Sequence, residues 1–330
     1  MNKKKLLGTV GVAAITAIAF TACSSGGGTD ASGGSGDELT PITVLYAPVH
    51  YETAMIAQTE GYFEDAGLDV TLKAGADPAA IVSQVLSGEV EIGATSWGGL
   101  SASVAEGMPV VGIAGNGVVS TEIDTSGVLV AADSPIETVA DLRGKTVGVV
   151  GIGNGTEIPL LLQAIDEGIA DPVNEITQVA IPYSGMQAAI ESGTVDSVFP
   201  ADPFYFQMLD AGAKQVAAPV REYQGNSPIT VWASATKWVE ENPDTAEAFQ
   251  SAMQQAFDYY EKEENKDAVL QFRADELQVP IDKVSQVLSP MSLAINVPEL
   301  QAQLDAMHDF GYMRELKAQD MFWSGTPLNE

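Results

Sequence analysis

From residue 41 onward the chain alternates short apolar runs with stretches that carry an apolar residue every three or four positions. That alternation limits the fold more than any other feature of the sequence. ITVLYAP (42–48) reads as a buried strand and TAMIAQTEGYF (53–63) as an amphipathic helix. LDVTL (68–72), VEIGATS (90–96) and VVGIAG (110–115) continue the strands, with helices expected over 79–88 and 98–106. A second series runs through GVLVAA (127–132), KTVGVV (145–150), ITQVAIP (176–182), VDSVFP (195–200) and KQVAAP (214–219), with helices over 157–167, 184–192 and 203–211. Strands alternating with helices build parallel sheets covered on both faces, so the fold class is α/β. The last hundred or so residues turn helical, over 243–272, near 282–289 and over 297–309. Within them Phe249, Met253, Phe257 and Tyr260 are spaced for one helix face and read as core. The pattern predicts two lobes, lobe I from 41–126 plus 226–330 and lobe II from 127–225. Ligands of open α/β sheets sit at the carboxyl ends of strands, so two such lobes facing each other make a cleft.

The N-terminus bears on location. Lys3, Lys4 and Lys5 precede an apolar stretch from Leu6 to Phe20, too short for a typical membrane span and flanked like a signal peptide over 1–22. It ends in Phe20-Thr21-Ala22-Cys23, and Cys23 is the only cysteine. These residues resemble a bacterial lipobox, with Phe20 where the pattern prefers Leu; the alternative is an ordinary signal peptide followed by a stray cysteine. The resemblance implies that Cys23 is lipid-modified and becomes the mature N-terminus, held on a membrane that the chain does not span. Residues 24–37, SSGGGTDASGGSGD, cannot bury a core, and as a flexible tether over 23–40 they reach on the order of 20 Å from the anchor. No disulfide, zinc cluster or thiol nucleophile is available beyond Cys23, and no metal or cofactor is expected.

The formal net charge of −30 argues against nucleic acid as a partner and against binding anionic lipid by charge. The acids are scattered rather than blocked, which reads as a solubilising surface.

Several stretches carry a family likeness: IAQTEGYFEDAGLDV (56–70), LSGEVEIGATS (86–96), ADLRGKTVGV (140–149), AAIESGTVDSVFPADPF (188–204) and ITVWASATKWVEENPDTAEAF (229–249). In order and spacing they resemble extracytoplasmic substrate-binding proteins of ABC importers, in the branch for nitrate, sulfonates, taurine and thiamine pyrimidine precursors. The resemblance implies a type II periplasmic-binding fold, two α/β lobes with a helical C-terminal segment. It further implies a monomer that closes on a small-molecule ligand and delivers it to ABC permease subunits in the membrane. It does not fix the ligand.

Candidate ligand contacts lie just past strand ends. Tyr46, His50, Tyr51 and Glu52 come after the first strand, the first three as candidate contacts. Thr95, Ser96 and Trp97 come after the third, where family members place a short polar turn. Thr95 and Ser96 are expected to donate hydrogen bonds and Trp97 to form a wall. Ala94-Thr95-Ser96-Trp97-Gly98 also resembles a degenerate nucleophile elbow, but that reading needs a histidine base, and only His50 and His308 exist. In lobe II, VGVVGIGNGTEIP (147–159) places Asn154, Gly155, Thr156 and Glu157 between a strand and a helix. It matches neither nucleotide-binding glycine fingerprint. Thr156 fits an N-cap, and family members use the matching helix start to grip a ligand's polar head. Glu157 there either faces solvent and complements the helix dipole, or faces the cleft and selects a ligand bearing an amine or ring N–H. Tyr183 ends the next strand. Asp202, in the family's D-P turn, has the residue type of an N-cap and is a candidate contact as well. Of the four arginines, at 143, 221, 273 and 314, only Arg221 is placed near a strand end, so a bidentate clamp for an anion is not evident. Such a pocket suits a sulfonate, a zwitterion such as taurine, or a stacked pyrimidine. The alternatives are a ligand-sensing lipoprotein without transport, and a biosynthetic enzyme on the same fold. A fungal pyrimidine synthase of that second kind depends on a cysteine-rich motif that this chain lacks.

Overall fold

The computed structural model describes residues 39–75, 78–153 and 155–330, all within the compact unit Glu38–Glu330. The signal peptide, Cys23, nearly all of the tether, and Asn154 lie outside the described residues. Ten strands form two five-stranded sheets. The first sheet uses β1 (Thr40–Tyr46), β2 (Leu68–Ala74), β3 (Ile92–Ser96) and β4 (Val110–Gly115). The second uses β5 (Val128–Val130), β6 (Thr146–Val149), β7 (Thr177–Ala180), β8 (Ser197–Val198) and β9 (Lys214–Ala217). The chain then returns to the first sheet as β10 (Thr230–Ala235), giving the orders β2-β1-β3-β10-β4 and β7-β6-β8-β5-β9.

The sheets are mixed rather than parallel. β10 runs antiparallel to β3 and β4, and β5 antiparallel to β8 and β9. Each odd strand is the first that the chain makes after crossing from the other sheet. It therefore starts at the end where the parallel strands finish, and must run the other way. The two crossovers pair with each other. Asn226 N donates to Val119 O at 3.1 Å, Val119 N to Ser227 O at 3.0 Å, and Ile229 N to Gly117 O at 2.7 Å.

Helices cover the sheets where their apolar faces demand it. Pro243–Tyr260 starts with proline at its first turn, where the missing N–H costs nothing. Its predicted stripe is buried: Phe249 stacks on Phe63 at 5.8 Å between ring centres and meets Trp232 of β10 edge-on at 5.2 Å. The expected helix over 243–272 is broken, because Glu261 to Lys266 offer no apolar face, and a second helix runs over Lys266–Leu277. Near 282–289 only a short turn, Ile281–Lys283, is helical. Beyond it the backbone is irregular, and the carbonyls of Ser285 and Val287 accept from the Arg273 guanidinium at 2.9 and 2.6 Å. In a helix those carbonyls would be committed to backbone N–H groups.

Side chains knot the first crossover to β1 and β10. Asn116 Nδ2 donates to the His50 carbonyl at 3.0 Å and Thr53 Oγ1 to Asn116 Oδ1 at 3.1 Å, while Thr230 Oγ1 accepts from Gly117 N at 3.1 Å. The His50 ring lies over Gly117, where an added Cβ would stand 2.3 Å from Nδ1. Gly117→Ala should therefore destabilise the protein by about 1–3 kcal/mol, read as a lower urea midpoint. An unchanged midpoint would mean that the ring is free to move aside.

Candidate functional site

The residues past the carboxyl ends of β1 and β8 meet around one buried cation. Arg273, 7 % exposed, donates through Nε to Glu52 Oε1, and Glu52 is itself 2 % exposed. Asp202, in the turn after β8, belongs to the other lobe yet feels both the Arg273 charge and the Ser285 hydroxyl. Burial outweighs both and holds its carboxyl above the usual range. Tyr51 and Tyr46 complete this face with ring centres 6.0 Å apart, and Tyr46 Oη donates to Glu276 Oε1 at 2.9 Å. The site thus brings together Tyr46, His50, Tyr51 and Asp202, candidate contacts from the sequence, with Glu52 beside them past the same strand, and adds Arg273, Tyr260 and Ser285. Sequence reasoning misses Arg273 because it sits mid-helix, far along the chain from any strand end. Asp202 is not the expected N-cap: the helix Phe204–Asp210 has Pro203 at its cap position, and the carboxylate turns toward the other lobe.

A second meeting point lies past β3 and β6. Trp97 is buried, and a Cβ on Gly155 would stand 2.5 Å from the edge of its ring, so only glycine lets the two lobes touch here. Ile158, which opens the helix Ile158–Asp166, packs in one apolar cluster with Trp97, Leu100 and Leu304 of the other lobe. Gln224 Nε2 bridges Gly155 O at 3.3 Å and Gln303 Oε1 at 2.9 Å. Glu157 faces neither solvent nor open cleft. It is fully buried, at the cap position expected for Thr156, and its Oε1 accepts from Gly153 N. Burial raises its pKa, while the backbone N–H groups of Glu157, Gly153 and Gly155 act in the opposite sense. The carboxylate thus occupies the N–H cradle that a bound anion would use.

The other predicted residues separate from these groups. Ser96 Oγ accepts from Gly99 N at 3.0 Å and caps the helix Trp97–Ala105 rather than offering itself to a ligand. Thr95 is fully buried, and Thr156 is half-buried beside Glu157. Tyr183 stacks on Phe204 at 6.0 Å. The elbow lacks its base: His50 Nδ1 sits 3.1 Å from Thr230 Oγ1, and His308 Nδ1 3.2 Å from the Met313 carbonyl. Two cavities, of about 230 and 400 Å³, lie against the crossover residues Val118, Asn226 and Pro228 and beside residues 170–174, and no predicted residue lines either. Among the described residues no group of three or more His, Cys, Asp or Glu is placed to hold a metal ion. No described helix is long and apolar enough to cross a membrane.

Two α/β lobes joined by paired crossovers define the periplasmic-binding-protein class of fold. The alkanesulfonate-binding protein SsuA of Xanthomonas axonopodis pv. citri, solved with MOPS bound, superposes with a TM-score of 0.69 over 87 % of this chain and 99 % of its own, at 18 % identity. The chain belongs to the NMT1/THI5-like family, whose model matches residues 49–266. A Haemophilus influenzae protein named for thiamine biosynthesis is 25 % identical over 257 residues, covering 76 % of this chain and 78 % of its own. The 4-amino-5-hydroxymethyl-2-methylpyrimidine phosphate synthase of Aspergillus parasiticus is 34 % identical over 118 residues, which is 36 % of this chain and 33 % of that protein.

Burial lowers the pKa of His50 to about 4, Arg273 adding to the shift and Glu52 opposing it. An unfolded histidine binds its proton near pH 6.5, so stability is complete above that pH and declines as pH falls from about 6.5 to about 4. Asp202 and Glu157, whose pKa values are raised, act in the opposite sense, so the effect is read as a difference between two proteins. His50→Gln should flatten the decline by up to about 3 kcal/mol in urea melts over that window. Parallel curves for the two proteins would mean that His50 titrates as it does in the unfolded chain.

Proposed function

We propose that this chain is the solute-binding component of an ABC importer, held outside the membrane through Cys23, with no chemistry of its own. The observation that carries the reading is the convergence of strand ends: residues past β1, β3, β6 and β8 meet at the lobe boundary, and the backbone links there are two paired crossovers. Such an arrangement opens and closes by bending its links, which suits capture and release. In this reading 41–126 with 226–330 and 127–225 move as two bodies, a monomer closes on its ligand, and the closed form docks on permease subunits.

The ligand class that fits best is a small organic solute with nitrogen donors, pyrimidine-like or taurine-like. Glu157 fills the N–H cradle, which disfavours a bare inorganic anion there. Tyr46, Tyr51, Trp97, Gly155, Tyr183 and Asp202 are the contacts proposed, with His50 and Glu157 shaping the walls. The names of the thiamine-related relatives support the pyrimidine option. Synthase chemistry is disfavoured because that resemblance spans a third of the synthase and because the chain has no cysteine beyond Cys23 for the cysteine-rich motif.

Protein starting at Ser24 should gain several degrees in thermal midpoint with at least one of 4-amino-2-methylpyrimidine, taurine, ethanesulfonate or nitrate, as binding to the folded state alone requires. No shift with any of the four would sink the proposed ligand classes. The anchor is tested separately: Cys23→Ala should move the full-length protein from the membrane fraction to the soluble one, and continued retention would contradict lipidation.

A further inference from the structure

In the cluster around Arg273, two buried carboxylate oxygens have no hydrogen-bond partner: Glu52 Oε2 from one lobe and Asp202 Oδ1 from the other. A carboxylate oxygen removed from water without a donor is costly, and native proteins seldom leave two in one place without a use for them. Arg273 is the cation of this cluster, but its Nε is taken by Glu52 Oε1 and its Nη1 by the carbonyls of Ser285 and Val287. Two carboxylates therefore share one guanidinium, itself partly committed to backbone. The cluster retains spare acceptors, the free oxygens of Glu52 and Asp202. The aromatic side chains beside it, Tyr51 and Tyr260, are buried at 5 % and 4 % exposure and exclude water.

Resting on the solute-binding reading, we propose that Glu52 and Asp202 form the recognition point for a cationic or amino nitrogen of the ligand, which enters between the lobes and donates to both carboxylates. One acceptor comes from each lobe, so a single nitrogen bridging them ties ligand identity to closure. Charge-assisted hydrogen bonds of this kind are about twice as strong as neutral ones, which makes the nitrogen the part of the ligand that decides affinity. The ring or alkyl stem of the same ligand is left for the aromatic walls.

Matched probes test this by calorimetry on the protein starting at Ser24. Taurine is compared with ethanesulfonate, which lacks only the amine, and 4-amino-2-methylpyrimidine with 2,4-dimethylpyrimidine, which replaces the amino group by methyl. The nitrogen-bearing member of at least one pair should bind tenfold or more tightly than its partner. Asp202→Asn should erase most of that preference. Should this variant fail to fold, the wild-type comparison within each pair stands without it. Equal binding within both pairs, or binding by ethanesulfonate or nitrate alone, would overturn the nitrogen assignment while leaving solute binding intact. Binding by no probe would overturn the assignment and the proposed ligand classes together.

Discussion

The paired crossovers are the constraint on which the rest of the structure depends. Because the chain leaves the first sheet after β4 and comes back as β10, each sheet must accept one strand running against the others. The hydrogen bonds between Val119, Asn226 and Ser227 keep the two passages side by side. His50, Asn116 and Thr230 then fasten that ribbon to the strand ends of the first sheet. A histidine held neutral suits this place, since burial over Gly117 outweighs the Glu52 charge that would favour an imidazolium.

The alternation of strands and helices was legible because burial on one or two faces imposes a period on the residues themselves. Strand direction leaves no such imprint, so the antiparallel β5 and β10 could not be read from GVLVAA or ITVWASA. The helical stripe at Phe249, Met253 and Phe257 was legible for the same reason that the break after Tyr260 was not: a local run of charges ends an apolar face without announcing where the chain turns. Within the site, Tyr46, His50 and Tyr51 were legible from their position just past the end of a strand. Arg273 answers to no such rule, since its partners Glu52, Ser285 and Val287 are assembled by tertiary packing. Asp202 and Glu157 were both visible as residues, but local capping rules assigned them places that burial and inter-lobe contacts override.

The acidic character of the chain and the chemistry of its interior are separate matters. The exposed ion pairs, such as Arg143 with Glu175 at 3.1 Å, are of the kind that contributes little to stability. The buried pair of Arg273 and Glu52 differs, because either partner alone would be an uncompensated charge away from water. Removing one of them should disturb the fold more than removing any surface pair, and it would do so at the boundary between lobes.

The glycine at 155 has a mechanical consequence. With no side chain there, the Trp97 ring rests directly on the backbone of the opposite lobe, so that contact fixes how near the two lobes can come. In the proposed closing motion it acts as a stop at that point of the interface. Against such a stop, an oversized solute caught between the lobes would hold them wedged at an angle rather than merely apart. A surface that reads lobe orientation could then reject the wrong cargo by posture, without touching it.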